Sequence, residues 1–299
     1  MKKNLNIVFI GMGRYTIGAL EALIENGFKV VGIIQSVRKK ETYSLWDLIS
    51  IKMGSLRKFA KKRNISYMYT DNLNDFSCTE FLKEKKCNLL CVASAGQLLK
   101  GEILKYPEYG VMNAHSSLLP QYRGANPSYW VIRNQENFGG VTIHYIDEGM
   151  DSGDILFQKK FEIPRNISYQ DYDKTIAKVA GECYVTVLNN LCDGNINRQQ
   201  QQSYDDFIAR RIKESEYKLD FKNMNKSEVC HYLYGTDALN HIYKSGLFSY
   251  KINEDTLKNS KFQIECQDGI ITVEKIFNFK MMIRHLVAKT LSRIRIKNI

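Results

Sequence analysis

The sequence predicts an α/β protein: a Rossmann-like, mostly parallel sheet over residues 1–203, then a smaller C-terminal α+β module over 204–299. Three observations carry this expectation. The runs Leu5–Ile10, Val30–Ile34 and Leu89–Ala93 are almost wholly apolar, as strands buried on both faces read. Between them, Ile17–Asn26 and Ser77–Lys86 have helical character, the alternation expected of βαβ units. Beyond residue 203 that alternation stops, and two strand-like runs, Phe262–Cys266 and Gly269–Val273, flank the hairpin signal Gln267-Asp268-Gly269.

Composition narrows the class. At 299 residues and 44% apolar, the chain is long enough for one large domain plus a small one, each with a core. A formal charge of +11 has two readings, an anionic partner or substrate, or lysines that are simply solvated. Seven cysteines without a CxxC pair read as thiols of a reducing cytosol rather than disulfides or a zinc site. The five histidines form no ligand cluster, so no metal is expected. The opening MKKNLNIVFIG is too short in its apolar run for a signal peptide, and no stretch reaches the ~18 apolar residues of a membrane span. The expected location is the cytoplasm.

Taken in order, Leu5–Ile10 is the first strand, Gly11-Met-Gly13-Arg-Tyr-Thr-Ile-Gly18 a glycine turn, and Val30–Ile34 the second strand. The glycine spacing is not GxGxxG and the second strand ends in Gln35 rather than an acid, which argues against a dinucleotide site. The turn could receive a substrate phosphate with Arg14, or merely permit a tight bend. Residues 36–62, with Trp46 and Leu48, read as a surface helix and loop whose aromatics are too few to stack bases. Ile65–Tyr69 is strand-like, and Asn88–Ala93 is the central strand, ending in the loop Ser94–Leu99.

The chemistry concentrates between Gly110 and Leu156. Asn113 and His115 lie two apart on a strand, so both side chains share one face. A further apolar strand, Val141–Ile146, leads into the acidic turn Asp147–Gly153, which can return the Asp151 carboxylate to the strand ends. In open α/β sheets the carboxyl ends of parallel strands hold the chemistry. Alone, His115 could be a satisfied core residue, Asn113 a turn cap and Asp151 a loop cap. His144, in an alternating strand, reads as structural.

Asn113-x-His115, Ser117-Leu-Leu-Pro120, Tyr122-Arg-Gly124 and Asp151, 38 positions after Asn113, together resemble the signature of formyltransferases that use N10-formyltetrahydrofolate. The resemblance implies formyl transfer to an amine, with His115 as base, Asn113 donating to the developing oxyanion, and Asp151 orienting or relaying. It also implies that Gln97, Leu98 and Leu99 hold the pterin and that the loop of Asp147 and Gly149 closes over the folate. Tyr122, Arg123 and Asn126 become candidate substrate contacts.

The helix over Tyr169–Cys192 completes the catalytic domain, and Asn195–Ser203, with four consecutive glutamines, reads as a polar connector. Arg210 and Arg211 could clamp a diphosphate or face water, and Tyr217, Tyr232 and Tyr234 could stack a base or fill a core. Phe277–Ile299 is a basic terminal stretch that could touch an anionic membrane or stay solvated. Within the resembled family, Thr142–Asp147 and the YRGANPSYW block point to the amino-sugar branch. The expected acceptor is a nucleotide-linked, thymidine diphosphate-type, 3- or 4-amino-dideoxyhexose for surface polysaccharide synthesis. On that reading the protein is a homodimer and no nucleic acid partner is expected. Three alternatives stand beside it: methionyl-tRNA formyltransferase, disfavoured by the short tail, a purine-pathway transformylase, and a non-catalytic folate-binding module.

Overall fold

The computed structural model describes residues 4–37, 43–44, 55–165, 167–202, 207–212, 221–235, 248–251, 262–277 and 295–296. Trp46, Leu48, Tyr217 and most of the basic stretch after Phe277 lie outside the described residues, as does the expected boundary at residue 203. The chain runs β1 Asn6–Gly11, α1 Gly13–Glu25, β2 Lys29–Ser36, β3 Tyr43–Ser44, α2 Ser55–Lys62, β4 Ser66–Thr70, α3 Phe76–Glu84 and β5 Leu89–Ala93. It continues with α4 Glu102–Lys105, β6 Val111–His115, α5 Pro127–Arg133, β7 Phe138–Tyr145, β8 Ile155–Glu162 and α6 Tyr169–Cys192. After a 3-10 turn, Phe221–Asn223, come α7 Lys226–Gly235, β9 Phe248–Lys251, β10 Phe262–Cys266, β11 Gly269–Phe277 and β12 Arg295–Ile296.

Seven strands form one sheet in the order β4-β2-β1-β5-β6-β7-β8. The first five are parallel, while β7 is antiparallel to β6, and β8 to β7. A separate antiparallel sheet, β10-β11-β9, gives the later part its α+β character. The fold class read from the sequence therefore holds. α1 begins four residues earlier than its apolar pattern suggests, directly after Met12, so Arg14 sits in its first turn rather than in a loop.

Strand alternation sorts the core into two layers. Phe9, Cys91, Met112, Ala114, Val141 and Ile143 face α1 and α6. Val8, Ile10, Leu90, Val92 and Val111 face the opposite way, toward Cys78 and Leu82 of α3 and Ile103 of α4. α1 and α6 touch closely because Gly181 has no side chain: a Cβ there would stand 2.5 Å from that of Ala22. β8 closes the sheet as a half-exposed edge carrying Lys159 and Lys160, a charged rim that discourages pairing with another chain.

Tyr184 of α6 ties this framework to the central strands. Its fully buried hydroxyl donates toward the carbonyls of Val92 (2.7 Å) and Met112 (3.0 Å) and accepts from Val92 N–H (3.1 Å). Burial pushes its pKa well above the ordinary tyrosine value, so it stays a neutral donor. Tyr184→Phe strands two buried carbonyls beside β5 and β6. The expected loss is about 2–3 kcal/mol, read as a lower urea midpoint at unchanged slope.

Candidate active site

The direction change after β6 creates a polar face. On the side of the sheet opposite α1 and α6, the side chains of Asn113, His115, Thr142, His144 and Gln158 form one patch spread over β6, β7 and β8. Asn113 is paired directly with His144, and His115 with Thr142. Asn113 and His115 lie at the carboxyl end of β6, which is parallel to β5, as the sequence suggested. The antiparallel β7 runs back along β6 and adds Thr142 and His144 beside them.

Loops cover this face. The Thr142 hydroxyl donates to Ser117 O (2.7 Å) and accepts from Leu119 N–H (3.0 Å) and Gln158 Nε2 (2.9 Å). Gln158 also donates to Leu119 O (2.7 Å), so the Ser117–Pro120 segment is pinned to the sheet by two side chains.

The hydrogen-bond partners assign each histidine its tautomer. His144 Nδ1 donates to Tyr145 O (2.8 Å), which leaves Nε2 to accept from the Asn113 amide (3.0 Å). Burial pushes the His144 pKa down to about 4, against an opposing pull from Asp151 and with a further downward push from His115. A neutral His144 therefore orients Asn113 and leaves the second amide hydrogen of Asn113 free to donate elsewhere. His115, 5% exposed, donates from Nε2 to Tyr122 O (2.9 Å). Its Nδ1 then carries the lone pair and faces Asp151 Oδ2 at 3.6 Å, ion-pair range but longer than a hydrogen bond. Asp151 Oδ1 lies 3.8 Å from His144 Nε2.

One turn sets both partners of that contact. Tyr122, at φ 58°, offers its carbonyl to His115, and two residues on, Gly124 N–H donates to Asp151 Oδ2 (2.9 Å). Gly124 must be glycine: its φ is 122° and a Cβ would meet Ala209 O at 2.8 Å. The segment 207–212 is stitched to this turn, Ala209 N–H donating to Arg123 O (2.7 Å) and Asn126 N–H to Ala209 O (2.9 Å). Asp151 itself has φ 53°, a left-handed conformation that short polar side chains tolerate.

Other sequence candidates are placed as follows. Gln97 points its amide away from the patch, donating to Asp71 O (2.8 Å) and Val37 O (3.3 Å) and accepting from Leu73 N–H (3.1 Å). Its side chain therefore braces the loop. Leu98 stands 51% exposed on that loop, while Leu99 is core. Asp147 accepts from Gly149 N–H (3.0 Å) and Ser152 Oγ (2.8 Å), shaping its own loop, on which Met150 is 41% exposed. Arg123 donates to Gln201 from Nε and Nη2. Arg210 lies over the Trp130 ring, and Arg211 Nη2 donates to Gly96 O (3.0 Å). Asn126 occupies the position before α5 without a side-chain capping bond. Arg14 lines a groove between α1 and α6 with Lys174 and Lys178, across the sheet from His115. The phosphate-receiving role considered for Arg14 finds no support in that position.

Two participants were not read from the sequence. His144, taken there as structural, is in the patch; pairing Val141–Ile146 antiparallel to the Asn113 strand would have placed it. Gln201, taken as connector, donates from Nε2 to Asp151 O (2.9 Å) and Gly153 O (2.7 Å). No local pattern marks it.

A formyl transferase family model matches residues 5–188. The chain belongs to that family. A methionyl-tRNA formyltransferase of Clostridium tetani is 31% identical over 291 residues, 91% of each chain. One of Thermotoga maritima is 30% identical over 73% of this chain and 68% of its own. Among solved structures, the sugar 3N-formyl transferase WlaRD superimposes with TM-score 0.61 at 22% identity, covering 93% of this chain and all of that one. An N-formyltransferase of Helicobacter canadensis superimposes with TM-score 0.61 at 20% identity, over 91% of this chain. At such identities these structures speak for the fold.

The formyl donor of the family is N10-formyltetrahydrofolate, and the residues present fit it: a braced loop at the end of β5, with Ser94 and Gly96 at φ 68° and 72° and Leu98 exposed, offers main chain and an apolar wall to a flat ring. The expected amino-sugar acceptor is overturned by the relatives, a series of methionyl-tRNA formyltransferases at about 30% identity. The tail argument fails with it, since the alignment spans 91% of the Clostridium protein. The YRGANPSYW block and Thr142–Asp147, read as branch markers, serve here to position His115, His144 and Asp151.

Because the His144 pKa is lowered on folding, its neutral form stabilises the fold above the unfolded value near 6.5, and this is lost as pH falls toward about 4. In urea titrations the stability difference between pH ~7 and pH ~4.5 should shrink by about 2–3 kcal/mol in His144→Gln. An unchanged difference would show that His144 is not buried neutral.

Proposed function

We propose that this chain transfers the formyl group of N10-formyltetrahydrofolate to the amine of methionyl-tRNA in the cytoplasm. The observation that carries the reading is the 31% identity over 91% of both chains to a protein of that activity. The charge of +11 supports it, since a polyanionic acceptor is held largely through phosphate neutralisation. No helix among the described residues is long and apolar enough to cross a membrane.

The geometry supplies the chemistry. The His115 Nδ1 lone pair takes the proton that the attacking amine must lose, Asp151 Oδ2 stabilises the imidazolium that results, and the imidazolium returns the proton to N10 of the donor as the bond between N10 and the formyl carbon breaks. Tyr122 O keeps the other ring nitrogen occupied, so the ring cannot turn or exchange tautomers cheaply. Asn113, aimed by neutral His144, donates to the oxygen of the formyl carbon as it gains charge, a contribution of ~3–4 kcal/mol for one such donor.

His115→Asn should lower kcat by at least ~100-fold while the melting temperature holds, the usual range for a lost general base. An active, folded variant would remove the base from this scheme. The acceptor is tested by presenting methionyl-tRNA and a thymidine diphosphate-linked amino-dideoxyhexose together with the donor. Formylated tRNA is expected, at a rate falling steeply with salt. Formylation of the sugar nucleotide alone would overturn the acceptor assignment and leave the transfer chemistry intact.

A further inference from the structure

We propose that Gln201 and Arg123 form a positioning pair that holds Asp151 against His115, so that the segment following the long helix α6 completes the active site. The inference rests on the roles given above to His115 and Asp151. Both hydrogens of the Gln201 amide are spent on the catalytic loop, one on Asp151 O (2.9 Å), the other on Gly153 O (2.7 Å). Both lone pairs of its oxygen face Arg123, at 3.2 Å to Nε and 2.8 Å to Nη2. A primary amide with all four positions filled has one orientation, and cannot flip without losing four bonds.

The pair closes a ring. Arg123 lies between the residue whose carbonyl fixes His115 and the residue whose N–H fixes the Asp151 carboxylate. Its guanidinium reaches through Gln201 to the main chain of Asp151, so carboxylate and backbone of that residue are referred to one turn. Asp151 stands at a left-handed φ of 53°, so its loop turns sharply there and is placed by contacts from outside the loop. The loop's other bonds, from Asp147 to Gly149 and Ser152, fix its shape but not its distance from His115. Gln201 is itself anchored: two residues earlier, Gln199 and Ile155 exchange N–H···O bonds of 2.8 and 2.9 Å across an antiparallel bridge. The glutamine run is thus a docked strap and not a free connector.

The test uses the full chain and whichever acceptor of the panel above the wild type formylates. Gln201→Leu should lower kcat by roughly 10- to 100-fold, the cost of a small misplacement, with the KM of the formyl donor within about 3-fold. In an Asp151→Asn background the same substitution should lower kcat by less than about 2-fold, because the group being positioned is already gone. Arg123→Met and Gln201→Leu should be non-additive in the same way, and thermal unfolding of each variant reports its folded fraction. Equal losses from Gln201→Leu in both backgrounds, or a kcat within 2-fold of wild type in the single variant, would overturn the pairing while Asp151 keeps its role. Full activity of Asp151→Asn alone would overturn the role of Asp151 and the pairing together.

Discussion

The active-site geometry hangs on the turn Tyr122-Arg123-Gly124. A histidine and an aspartate 36 positions apart in sequence are set against each other because one turn offers a carbonyl to the first and an N–H to the second. The two offers sit on residues that flank a single peptide-bonded neighbour, so their separation is fixed by covalent geometry rather than by side-chain packing. Tyr122 and Gly124 both have positive φ, which turns the carbonyl and the N–H toward the same patch. The lack of a Cβ at Gly124 also lets Ala209 approach and stitch the following segment to the turn. Shape and function share one cause here.

The second cause is the reversal of strand direction between β6 and β7. A parallel neighbour would have required a crossover and a covering helix, and the face of β6 bearing Asn113 and His115 would have been packed with apolar side chains. The antiparallel return leaves that face to loops, which can carry polar groups and admit ligands. Thr142 and Gln158 then make a second use of the same face, pinning the Ser117–Pro120 segment that begins the turn. The buried, neutral His144 belongs to this economy: an acceptor is needed for Asn113, and a charged ring would compete with His115 for Asp151.

Reaction and acceptor are recorded in different places. The motif residues Asn113, His115, Tyr122–Gly124 and Asp151 meet in one patch, so the reaction class can be argued from local sequence. No such short motif names the acceptor. That is why the amino-sugar expectation failed against relatives that align along nearly the whole length. The blocks on which it leaned, Tyr122–Trp130 and Thr142–Asp147, turn inward to brace the site, and Trp130 packs under Arg210.

The sequence by itself determined the parallel half of the sheet, the long helix Tyr169–Cys192 and the motif residues Asn113, His115 and Asp151 that meet in the candidate site, because these are written in local periodicity and in contiguous motifs. Only the tertiary structure decided which face of the sheet holds the chemistry, that His144 stands beside Asn113, and that Gln201 grips the Asp151 loop from 50 residues away. The physical reason is that strand direction and side-chain hydrogen bonds across such separations are set by the closing of loops over a packed core, and no window of the sequence contains both partners.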